Sequence, residues 1–259
     1  MKILFIGDVI GRPGRMLLKS ILPGMVDNLR VDLVIANGEN AAGGFGITEK
    51  TASELFSFGI HIITTGNHVW DKKEAVHYLG NEDRILRPLN FPPDVPGFGS
   101  IVYSFKNGLK AAVINLVGRV FMNQVDCPFR SVIPEIEKLK KETSVIIVDM
   151  HAEATSEKQA IGYYLDGKVS AVVGTHTHVQ TSDEKILPHG TAYITDVGMV
   201  GPAISVIGVR VDQIVEKFLN QIPQKYEVAK GSCFFCAVLL DIDNQTGRAV
   251  SIKRLLVNE

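Results

Sequence analysis

Seven side chains of this 259-residue chain could bind metal ions, and each follows a short apolar run. They are Asp8, Glu39, Asn40, Asn67, His151, His176 and His178. Mixed nitrogen and oxygen ligands without thiolate favour iron, manganese or zinc over calcium or copper(I). Seven ligands are too many for one ion, so we expect two ions with one carboxylate between them. Two ions about 3.5–4 Å apart can clamp the attacking and leaving oxygens of an in-line phosphoryl displacement.

The histidines of this set follow two apolar runs. His176 and His178 stand two residues apart directly after a run. In an extended backbone such side chains point to the same side, so we expect both imidazoles to face one site. The alternative is two solvent-facing histidines in a polar loop. His151 could be a hydrogen-bonded core histidine; if it binds metal, Asp149 is a candidate to accept a hydrogen bond from its other ring nitrogen.

The acidic candidates have simpler alternatives as well. A charged carboxylate at the end of a buried strand needs a partner, which is a metal, an arginine or a helix N-terminus. For Asp8, that partner could be the helix predicted to begin near Pro13. Glu39 and Asn40 could instead form a polar turn with Gly38.

The strand end Gly66-Asn67-His68 offers two adjacent polar side chains, which tend to diverge. If Asn67 binds metal through its amide oxygen, His68 can approach the substrate and serve as general acid for an alkoxide leaving group. The alternative is a histidine packed against Trp70.

No residue is firmly assigned to substrate binding. Three arginines are candidates for a phosphate clamp because a guanidinium binds phosphate through paired hydrogen bonds; they are Arg12, Arg119 and Arg130. The glycine-rich residues 43–46 could cradle an anion with backbone N–H groups. They lack the lysine and spacing of a P-loop, so a simple glycine-rich turn is equally compatible with them.

Composition limits the function classes. The chain is 46% hydrophobic and 21% charged with a net charge of -1, so no overall field attracts nucleic acid or an anionic membrane. Its three cysteines, Cys127, Cys233 and Cys236, cannot form a disulfide framework, and the last two are expected to pack inside a strand. The apolar N-terminus is too short for a signal peptide. No run approaches the 18 or so apolar residues of a membrane span. We therefore expect a cytoplasmic protein.

Strands and helices alternate over the first 80 residues, which predicts a mostly parallel sheet covered by helices. Thr48 is a predicted N-cap, and Pro23-Gly24 should bend or break the first helix. The predicted strands are 2–7, 32–37 and 60–65, and the helices begin at Arg12, Thr48 and Lys73.

The remaining chain mixes hairpins with further strand and helix segments. Asn107-Gly108 predicts a hairpin between 100–105 and 110–116. Residues 117–131 are predicted to form a long loop. The other predicted elements are helix 134–141, strand 144–149, helix 156–165, strand 169–174, helix 211–219 and a hairpin of 233–241 with 248–257. We expect one domain over 1–259, with a second sheet supplied by the hairpins.

Taken in order, these blocks resemble the calcineurin-like metallophosphoesterases. The resemblance rests on Gly7-Asp8, Gly38-Glu39-Asn40, Gly66-Asn67-His68, His151 and the segment 174–178. Ile10 stands where that superfamily usually has a histidine, Glu39 replaces an aspartate, and Val69 replaces an acidic residue. These departures are similar to the bacterial YmdB-like branch, the 2′,3′-cyclic-nucleotide phosphodiesterases. That likeness covers nearly the whole chain, including residues 5–9, 39–46, 115–122 and 151–158.

The resemblance implies an α/β fold, a two-sheet sandwich flanked by helices, with two metal ions per chain, Fe and/or Mn. It implies that Asp8, Asn40 and His178 hold one ion, and that Asn67, His151 and His176 hold the other. Glu39 would bridge them, and Asn40 would fill the gap that Ile10 leaves. The implied reaction opens 2′,3′-cyclic nucleotides to 3′-nucleotides by in-line attack of a metal-bound hydroxide, with His68 as proton donor. The resemblance also implies a homo-oligomer.

Other functions remain open on the sequence alone. The same metals could serve a broader phosphomonoesterase or a 3′,5′-cyclic-nucleotide phosphodiesterase. A regulatory protein that senses a nucleotide or metal, with vestigial hydrolysis, is an alternative from another class. A purely structural metal site fits least well, because asparagine ligands beside a free histidine suit an open site.

Overall fold

The computed structural model describes residues 1–259 and contains fourteen strands and six helices. The strands are β1 (Lys2–Ile6), β2 (Asp8–Val9), β3 (Leu33–Asn37), β4 (Ile62–Thr64), β5 (Ile85–Leu86), β6 (Ser100–Ser104), β7 (Lys110–Val117), β8 (Ile146–His151), β9 (Ala171–Thr175), β10 (Lys185–Ile186), β11 (Ala192–Ile194), β12 (Met199–Pro202), β13 (Cys233–Ile242) and β14 (Ala249–Asn258). The helices are α1 (Gly11–Leu29), α2 (Glu49–Ser57), α3 (Ala75–Leu79), α4 (Pro128–Leu139), α5 (Thr155–Leu165) and α6 (Val211–Asn220).

The strands form two sheets. The first has eight strands in the order β2-β12-β13-β1-β3-β4-β5, with β14 paired to β13. Its strands β1, β3, β4 and β5 are parallel, as the alternating sequence pattern predicts. The second has six strands in the order β10-β11-β9-β8-β7-β6, and its central strands β7, β8 and β9 are also parallel.

A buried apolar layer joins the two sheets. Alternate residues of a strand point to opposite faces, so Ile3 and Phe5 of β1 enter the cluster shared with the second sheet, which contributes Val113 and Ile147. The other face of β1 packs with α1, α2 and α3 in a second cluster. The outer face of the second sheet is covered by α4 and α5. The predicted class, a two-sheet α/β sandwich flanked by helices, is confirmed.

The sequence predicts that Pro23 bends or breaks the first helix and that Pro134 starts a helix, yet both prolines lie inside helices. α1 continues through Pro23, and α4 begins at Pro128 and contains Pro134, so the expected loop 117–131 shrinks to residues 118–127. Pro23 and Pro134 lie on exposed helix faces, as do Lys19 and Arg130 four residues earlier. Water can therefore bond the carbonyls that lose their usual N–H partner, which lowers the cost of an internal proline.

The two predicted hairpins form but do not build one sheet together. β6 and β7 extend the second sheet, whereas β13 and β14 complete the first. The second sheet instead gains its parallel core from β8 and β9. The short strands β10, β11 and β12 occupy residues 185–202, a region in which the sequence analysis identified no element.

Candidate metal centre and active site

All seven predicted ligands meet at one edge of the sandwich, where the parallel strands of both sheets end. Asp8 follows β1, Glu39 and Asn40 follow β3, and Asn67 follows β4. From the second sheet, His151 ends β8, and His176 and His178 follow β9. The carboxyl ends of parallel strands in one sheet open on the same edge. The packing of two such sheets face to face brings both sets together.

One group of donor atoms surrounds Nε2 of His151. Glu39 Oε1 lies 2.9 Å from that nitrogen, Asn67 Oδ1 lies 3.1 Å from it, and His176 Nδ1 lies 3.0 Å from it. Glu39, His151 and His176 form a group whose ligand atoms all lie within 4.8 Å of one another. His151 and Glu39 are fully buried.

A second group lies beside the first and contains Asp8, Asn40 and His178. Asn40 Nδ2 lies 3.3 Å from Asp8 Oδ1 and 3.2 Å from His178 Nε2, and the last two atoms are 3.5 Å apart. The same amide nitrogen lies 3.5 Å from Glu39 Oε1, so Glu39 borders both groups. Turning the Asn40 amide over would present its oxygen to the same neighbours, because amide O and N occupy equivalent positions.

The spacing of the first group fits a shared cation. Ligands of an octahedral ion with bonds of about 2.1 Å lie about 3.0 Å apart along each edge. The three distances from His151 Nε2, 2.9–3.1 Å, match that spacing. Neutral or anionic N and O donors without sulfur are also the chemistry that iron and manganese bind. The residues present therefore fit a metal centre that has one group on each side of Glu39.

The groups also set one another's ionisation in the metal-free protein. Burial opposes ionisation of Asp8 and Glu39, but the facing His178 and His151 outweigh burial and hold both carboxyl pKa values below their usual range. Burial lowers the pKa of His178, yet the charge of Asp8 outweighs it and raises that pKa to about 9. Burial and then the neighbouring His151 lower the pKa of His176 to about 3.

Buried hydrogen bonds fix the His151 ring. Its Nδ1 lies 2.9 Å from Thr175 Oγ1, and the Thr175 hydroxyl donates to Asp149 Oδ1 over 2.7 Å. A ring that donates from Nδ1 keeps the Nε2 lone pair free for a metal. Asp149 therefore acts through Thr175, not by the direct bond to His151 that the sequence suggested. Burial raises the pKa of Asp149 to about 7.

The two neighbouring histidines diverge, which corrects the expected extended geometry. His176 has φ 97° and His178 has φ 64°, so both lie in a left-handed turn and not in a strand. The turn sends His176 to the first group and His178 to the second. Asp196 holds the turn by accepting hydrogen bonds from the Thr177 backbone N–H and hydroxyl, and Asp196 is itself paired with the buried Lys158 at 2.8 Å.

Each of these two histidines has an acceptor for its other ring nitrogen. His176 Nε2 lies 3.2 Å from Glu153 Oε2. His178 Nδ1 lies 2.9 Å from the carbonyl oxygen of Ile207, a residue with φ 47°. When the rings are neutral, donation to these acceptors leaves His176 Nδ1 and His178 Nε2 with their lone pairs facing the two groups.

Gly66 allows the close approach of the two sheets at this point. A Cβ on Gly66 would lie 2.1 Å from His151 Cδ2 and 2.3 Å from Nε2. No residue with a side chain can occupy position 66 while the His151 ring keeps its place. The glycine of the Gly66-Asn67-His68 segment is thus part of the site's geometry.

His68 stands apart from both groups, as the divergence of adjacent side chains predicts. Its Nδ1 lies 2.8 Å from Asp71 Oδ2, and its ring is 5.2 Å from the Phe45 ring. It does not pack on Trp70, which lies near Phe91 instead. The His68 backbone N–H donates to Glu39 Oε2 over 3.0 Å, which ties it to the centre. Donation from Nδ1 to Asp71 leaves Nε2 free for a substrate.

A cavity of about 380 Å³ opens over this centre and His68. Its lining includes Glu39, Asn40, His68, His176 and His178, together with the apolar segment 207–209. None of the three candidate clamp arginines is among the lining residues. The uncharged or potentially cationic side chains of the lining that could donate a hydrogen bond to a phosphate are the histidines, Asn40, Thr177 and Tyr226.

Two other sequence motifs have structural roles. The N–H groups of Gly43 and Gly44 donate to carbonyls of their own turn, so these two groups are not available to an anion. Cys233 and Cys236 are buried free thiols, as predicted for packing residues. Cys127 is also free.

Sequence reasoning missed the supporting residues Asp71, Glu153, Thr175, Lys158 and Asp196. Asp71 follows His68 by three residues and Glu153 follows His151 by two, so local spacing could have indicated both. Lys158 and Asp196 are 38 positions apart, and only the folded chain shows that they pair.

Comparison with known proteins identifies the family of this chain. The family model described as "YmdB-like protein" matches residues 4–255. The chain belongs to the YmdB-like family. A Bacillus subtilis protein named 2′,3′-cyclic-nucleotide 2′-phosphodiesterase is 49% identical to this YmdB-like chain over 259 residues, covering 100% of it and 98% of the relative. The match confirms the expected family and, with it, an enzyme that hydrolyses phosphoric esters.

Solved structures of similar proteins share the whole fold. A hypothetical protein from Thermus thermophilus has a TM-score of 0.94 and 42% identity, with 100% of both chains covered. A phosphatase from Mycoplasma pneumoniae has a TM-score of 0.93 and 36% identity, with 100% of this chain and 93% of that chain covered. No helix of this chain combines the length and apolar character required to cross a membrane.

Proposed function

We propose that this YmdB-like chain is a metal-dependent phosphodiesterase that opens 2′,3′-cyclic nucleotides to 3′-nucleotides. The observation that carries the proposal is the grouping of Glu39, His151 and His176, whose ligand atoms lie within 4.8 Å of one another. The B. subtilis relative named 2′,3′-cyclic-nucleotide 2′-phosphodiesterase supports the choice of substrate. Because both sheets supply ligands, the proposal treats residues 1–259 as one catalytic domain.

In this proposal, two metal ions, Fe and/or Mn, would occupy the two groups. Asp8, Asn40 and His178 would hold one ion, Asn67, His151 and His176 would hold the other, and Glu39, which borders both groups, would serve both. When bound, such a pair would activate water and neutralise charge on the phosphoryl oxygens. Glu153, Thr175 and the Ile207 carbonyl orient the ligand histidines by accepting from the ring nitrogens that face away from the centre.

His68 is the proposed general acid. As water bonds to phosphorus and loses one proton to solvent, the bond between phosphorus and the ribose O2′ breaks, and O2′ takes the Nε2 proton of His68, which a proton from solvent then replaces. The 3′ ester survives, so the product is a 3′-nucleotide. Asp71, 2.8 Å from Nδ1, fixes the ring orientation and stabilises the charged imidazolium that precedes proton transfer.

The cavity supplies the proposed nucleoside seat. Its volume of about 380 Å³ is within the range of small-molecule sites, and much of its lining is apolar. Phe45, Ile207, Val209, Ile214 and Val228 give a base and ribose an apolar surface beside the centre.

We further propose a cytoplasmic homo-oligomer. Helix α6 has no buried residue, and Phe218 and Leu219 on it are 76% and 82% exposed. An uncovered apolar face of this kind marks a contact surface, and a second copy of the chain is the partner proposed here. The three free cysteines support a reducing compartment. Light scattering should give a mass above 28.3 kDa, and Leu219→Glu should lower it; a monomer in both proteins would contradict this.

A substrate panel tests the proposed activity. Protein purified without added metal should be analysed for metal, then loaded with iron or manganese and assayed on adenosine 2′,3′-cyclic phosphate, adenosine 3′,5′-cyclic phosphate and p-nitrophenyl phosphate. The 2′,3′-cyclic substrate should have the highest kcat/KM, and Glu39→Gln should abolish activity together with metal retention. Preference for either other substrate would contradict the proposed specificity.

A further inference from the structure

A second cavity, of about 610 Å³, adjoins the cavity over the proposed metal centre. The two linings share Tyr226, Glu227 and Val228, so the cavities meet along this segment. The first lining contains no lysine or arginine. Three basic residues line the second cavity, and they are Arg12, Lys225 and Lys230. A ligand that extends from the first cavity into the second therefore passes from the centre to a basic surface.

The three basic residues of the second cavity have no carboxylate partner. All three are exposed, and every ion pair that a lysine or arginine makes in this chain involves another residue. The one carboxylate of this lining, Glu227, is paired with Arg210 at 3.0 Å. Arg210 also pairs with Asp212, and Lys217 Nζ lies 5.1 Å from the centre of the Tyr226 ring. The charge around the segment therefore stays positive when all these groups are counted.

Val228 fixes the segment that carries two of these cations. It forms a bridge with Val209, beside the first cavity. On its other side it packs so closely that a Cβ on Gly11 would lie 3.0 Å from Val228 Cγ2, and a Cβ on Gly44 would lie 2.8 Å from it. The segment is thus seated against the start of α1, where Arg12 lies. The basic surface is built from two separate parts of the chain that pack together.

The basic surface continues beyond the second cavity. A third cavity, of about 760 Å³, shares Arg12 and Met16 with the second and no lining residue with the first. Further basic residues line it, and they are Arg15, Lys19 and Lys50. Its one carboxylate, Glu54, is paired with Arg15 at 2.8 Å, which leaves Lys19 and Lys50 without a carboxylate partner. We call the second and third cavities together the basic groove; it is a local feature of a chain whose net charge is -1.

We propose that the basic groove binds the sugar-phosphate backbone of a single-stranded RNA whose 3′-terminal 2′,3′-cyclic phosphate lies in the first cavity. This inference rests on the proposed function and extends its substrate class from mononucleotides to RNA 3′ ends. Each nucleotide of such a strand brings one negative charge, and lysine and arginine are the side chains that neutralise it. The half-buried Tyr226 ring at the junction offers a surface on which a base can stack.

The ligand chemistry follows from the two sites together. A 2′,3′-cyclic ester requires a 2′-oxygen, so a polymer that ends in one is RNA. Contacts to phosphates carry no base information, and binding in the groove should therefore be independent of sequence.

Two substrates that share the reacting group test the proposal. They are adenosine 2′,3′-cyclic phosphate and a tetra-adenylate that ends in a 2′,3′-cyclic phosphate. With the metal-loaded full chain in 50 mM salt, we expect kcat/KM to be at least about tenfold higher for the tetranucleotide, mainly through KM. Two phosphate contacts on a single strand would reduce this advantage about sevenfold between 50 and 200 mM salt. Equal kcat/KM for the two substrates, or an advantage that salt leaves unchanged, would overturn the proposal.

A charge-matched pair of variants locates the effect. Lys225→Gln/Lys230→Gln should reduce the ratio of the two kcat/KM values about fivefold or more, because two of the cations of the groove are lost. A change in folding or metal content would affect both substrates alike and leave that ratio unchanged. The control is Lys106→Gln/Lys253→Gln, which removes two exposed lysines outside all three cavities and should keep the wild-type ratio. The same loss in both variants would contradict a groove-specific effect.

Binding provides a readout independent of turnover. Calorimetry in 50 mM salt should give tetra-adenylate with a 3′-phosphate a Kd at least about tenfold lower than adenosine 3′-phosphate, and Lys225→Gln/Lys230→Gln should narrow the difference. A tetraglutamate peptide should compete poorly, because it lacks bases to stack on Tyr226. Competition as strong as that of the oligonucleotide would show that the groove accepts acidic peptides and would overturn the assignment to RNA.

The outcomes separate the two proposals. Equal binding of the tetranucleotide and the mononucleotide would overturn the RNA groove and leave the phosphodiesterase proposal intact. Hydrolysis of neither cyclic substrate would contradict the proposed function, while salt-dependent binding of the tetranucleotide that requires Lys225 and Lys230 would still support the groove.

Discussion

A single methyl group at position 66 should disable the centre. In Gly66→Ala, the new Cβ would lie 2.1 Å from His151 Cδ2, 2.3 Å from Nε2 and 2.5 Å from Cγ, whereas ordinary contacts begin at 3.4 Å. The ring must therefore retreat by about 1 Å. It cannot retreat freely, because Thr175 bonds its Nδ1 and the ring is fully buried. The displaced ring can no longer offer Nε2 to the groups around it.

The expected loss can be estimated from that displacement. A shift of about 1 Å in a catalytic group costs roughly 100-fold in rate. Overpacking of a buried site costs about 1–3 kcal/mol of folding free energy, or a few degrees in Tm for a chain of this size. We therefore expect Gly66→Ala to fold, to retain less than one-tenth of the wild-type metal at limiting metal concentration, and to lose at least about 100-fold in kcat/KM.

Gly24→Ala is the matched control for this experiment. Gly24 lies within α1, and a Cβ there would meet no atom within 4 Å. That variant should keep full activity and gain about 0.5–1 kcal/mol in stability because alanine is the better helix former. Elemental analysis, thermal unfolding and steady-state kinetics of both variants decide the question. Wild-type metal content and kcat/KM in Gly66→Ala would refute the geometric argument.

Three other perturbations address individual residues. His68→Ala should lower kcat by roughly 10²–10⁴-fold, the usual contribution of a general acid, with metal content unchanged. The control is His189→Ala, which removes a histidine that is paired with Asp166 away from the cavity. Loss of metal in His68→Ala would show that the role assigned to His68 is wrong. Thr175→Val keeps the shape of the side chain but removes the acceptor for His151 Nδ1. Metal affinity, measured by chelator competition, should therefore fall about 10–100-fold. Unchanged affinity would contradict the orienting role of Thr175. The pKa of His178 is raised to about 9 in the metal-free protein, so at pH 7 its ring is protonated and must release that proton to bind a cation. For this one proton, metal affinity should rise about tenfold per pH unit towards pH 9, and calorimetry in buffers of different ionisation enthalpy should record the proton release. A metal affinity that is independent of pH would contradict this linkage.

Local signals in the sequence were sufficient for the fold class and for the set of residues that meet. Glu39, Asn67 and His151 each follow a buried run, and parallel strands bring their carboxyl ends to one edge. The capped helix after Thr48 and the hairpin at Asn107-Gly108 carry their own start and turn signals, and both form. These features depend on neighbours in the chain, which a single sequence displays.

Features that depend on distant partners were not predictable in the same way. The left-handed backbone of His176 and His178 depends on Asp196, Lys158 and the Ile207 carbonyl, all remote in sequence. The extended backbone that the sequence predicts for His176 and His178 is therefore wrong, because the contacts that set their conformation come from distant residues. Pro23 is tolerated within α1 because its side of the helix faces solvent, and exposure is a property of the packed molecule.

The absence of arginine from the cavity lining also depends on packing. Arg12 follows the lining residue Ile10 by two positions, yet none of the three candidates Arg12, Arg119 and Arg130 lines the cavity. Glu153 and Glu227, which do line it, come from the segment before α5 and from the segment after α6. The charge of the cavity is thus a tertiary property that the net charge of -1 does not reveal.

The identity of the hydrolysis product tests the proposed reaction most directly. Metal-loaded protein should be incubated with adenosine 2′,3′-cyclic phosphate and the reaction followed by phosphorus NMR. Protonation of O2′ by His68 predicts adenosine 3′-phosphate as the sole product, with no signal from the 2′ isomer. Accumulation of adenosine 2′-phosphate, or no reaction with two metal ions bound per chain, would contradict the proposed function.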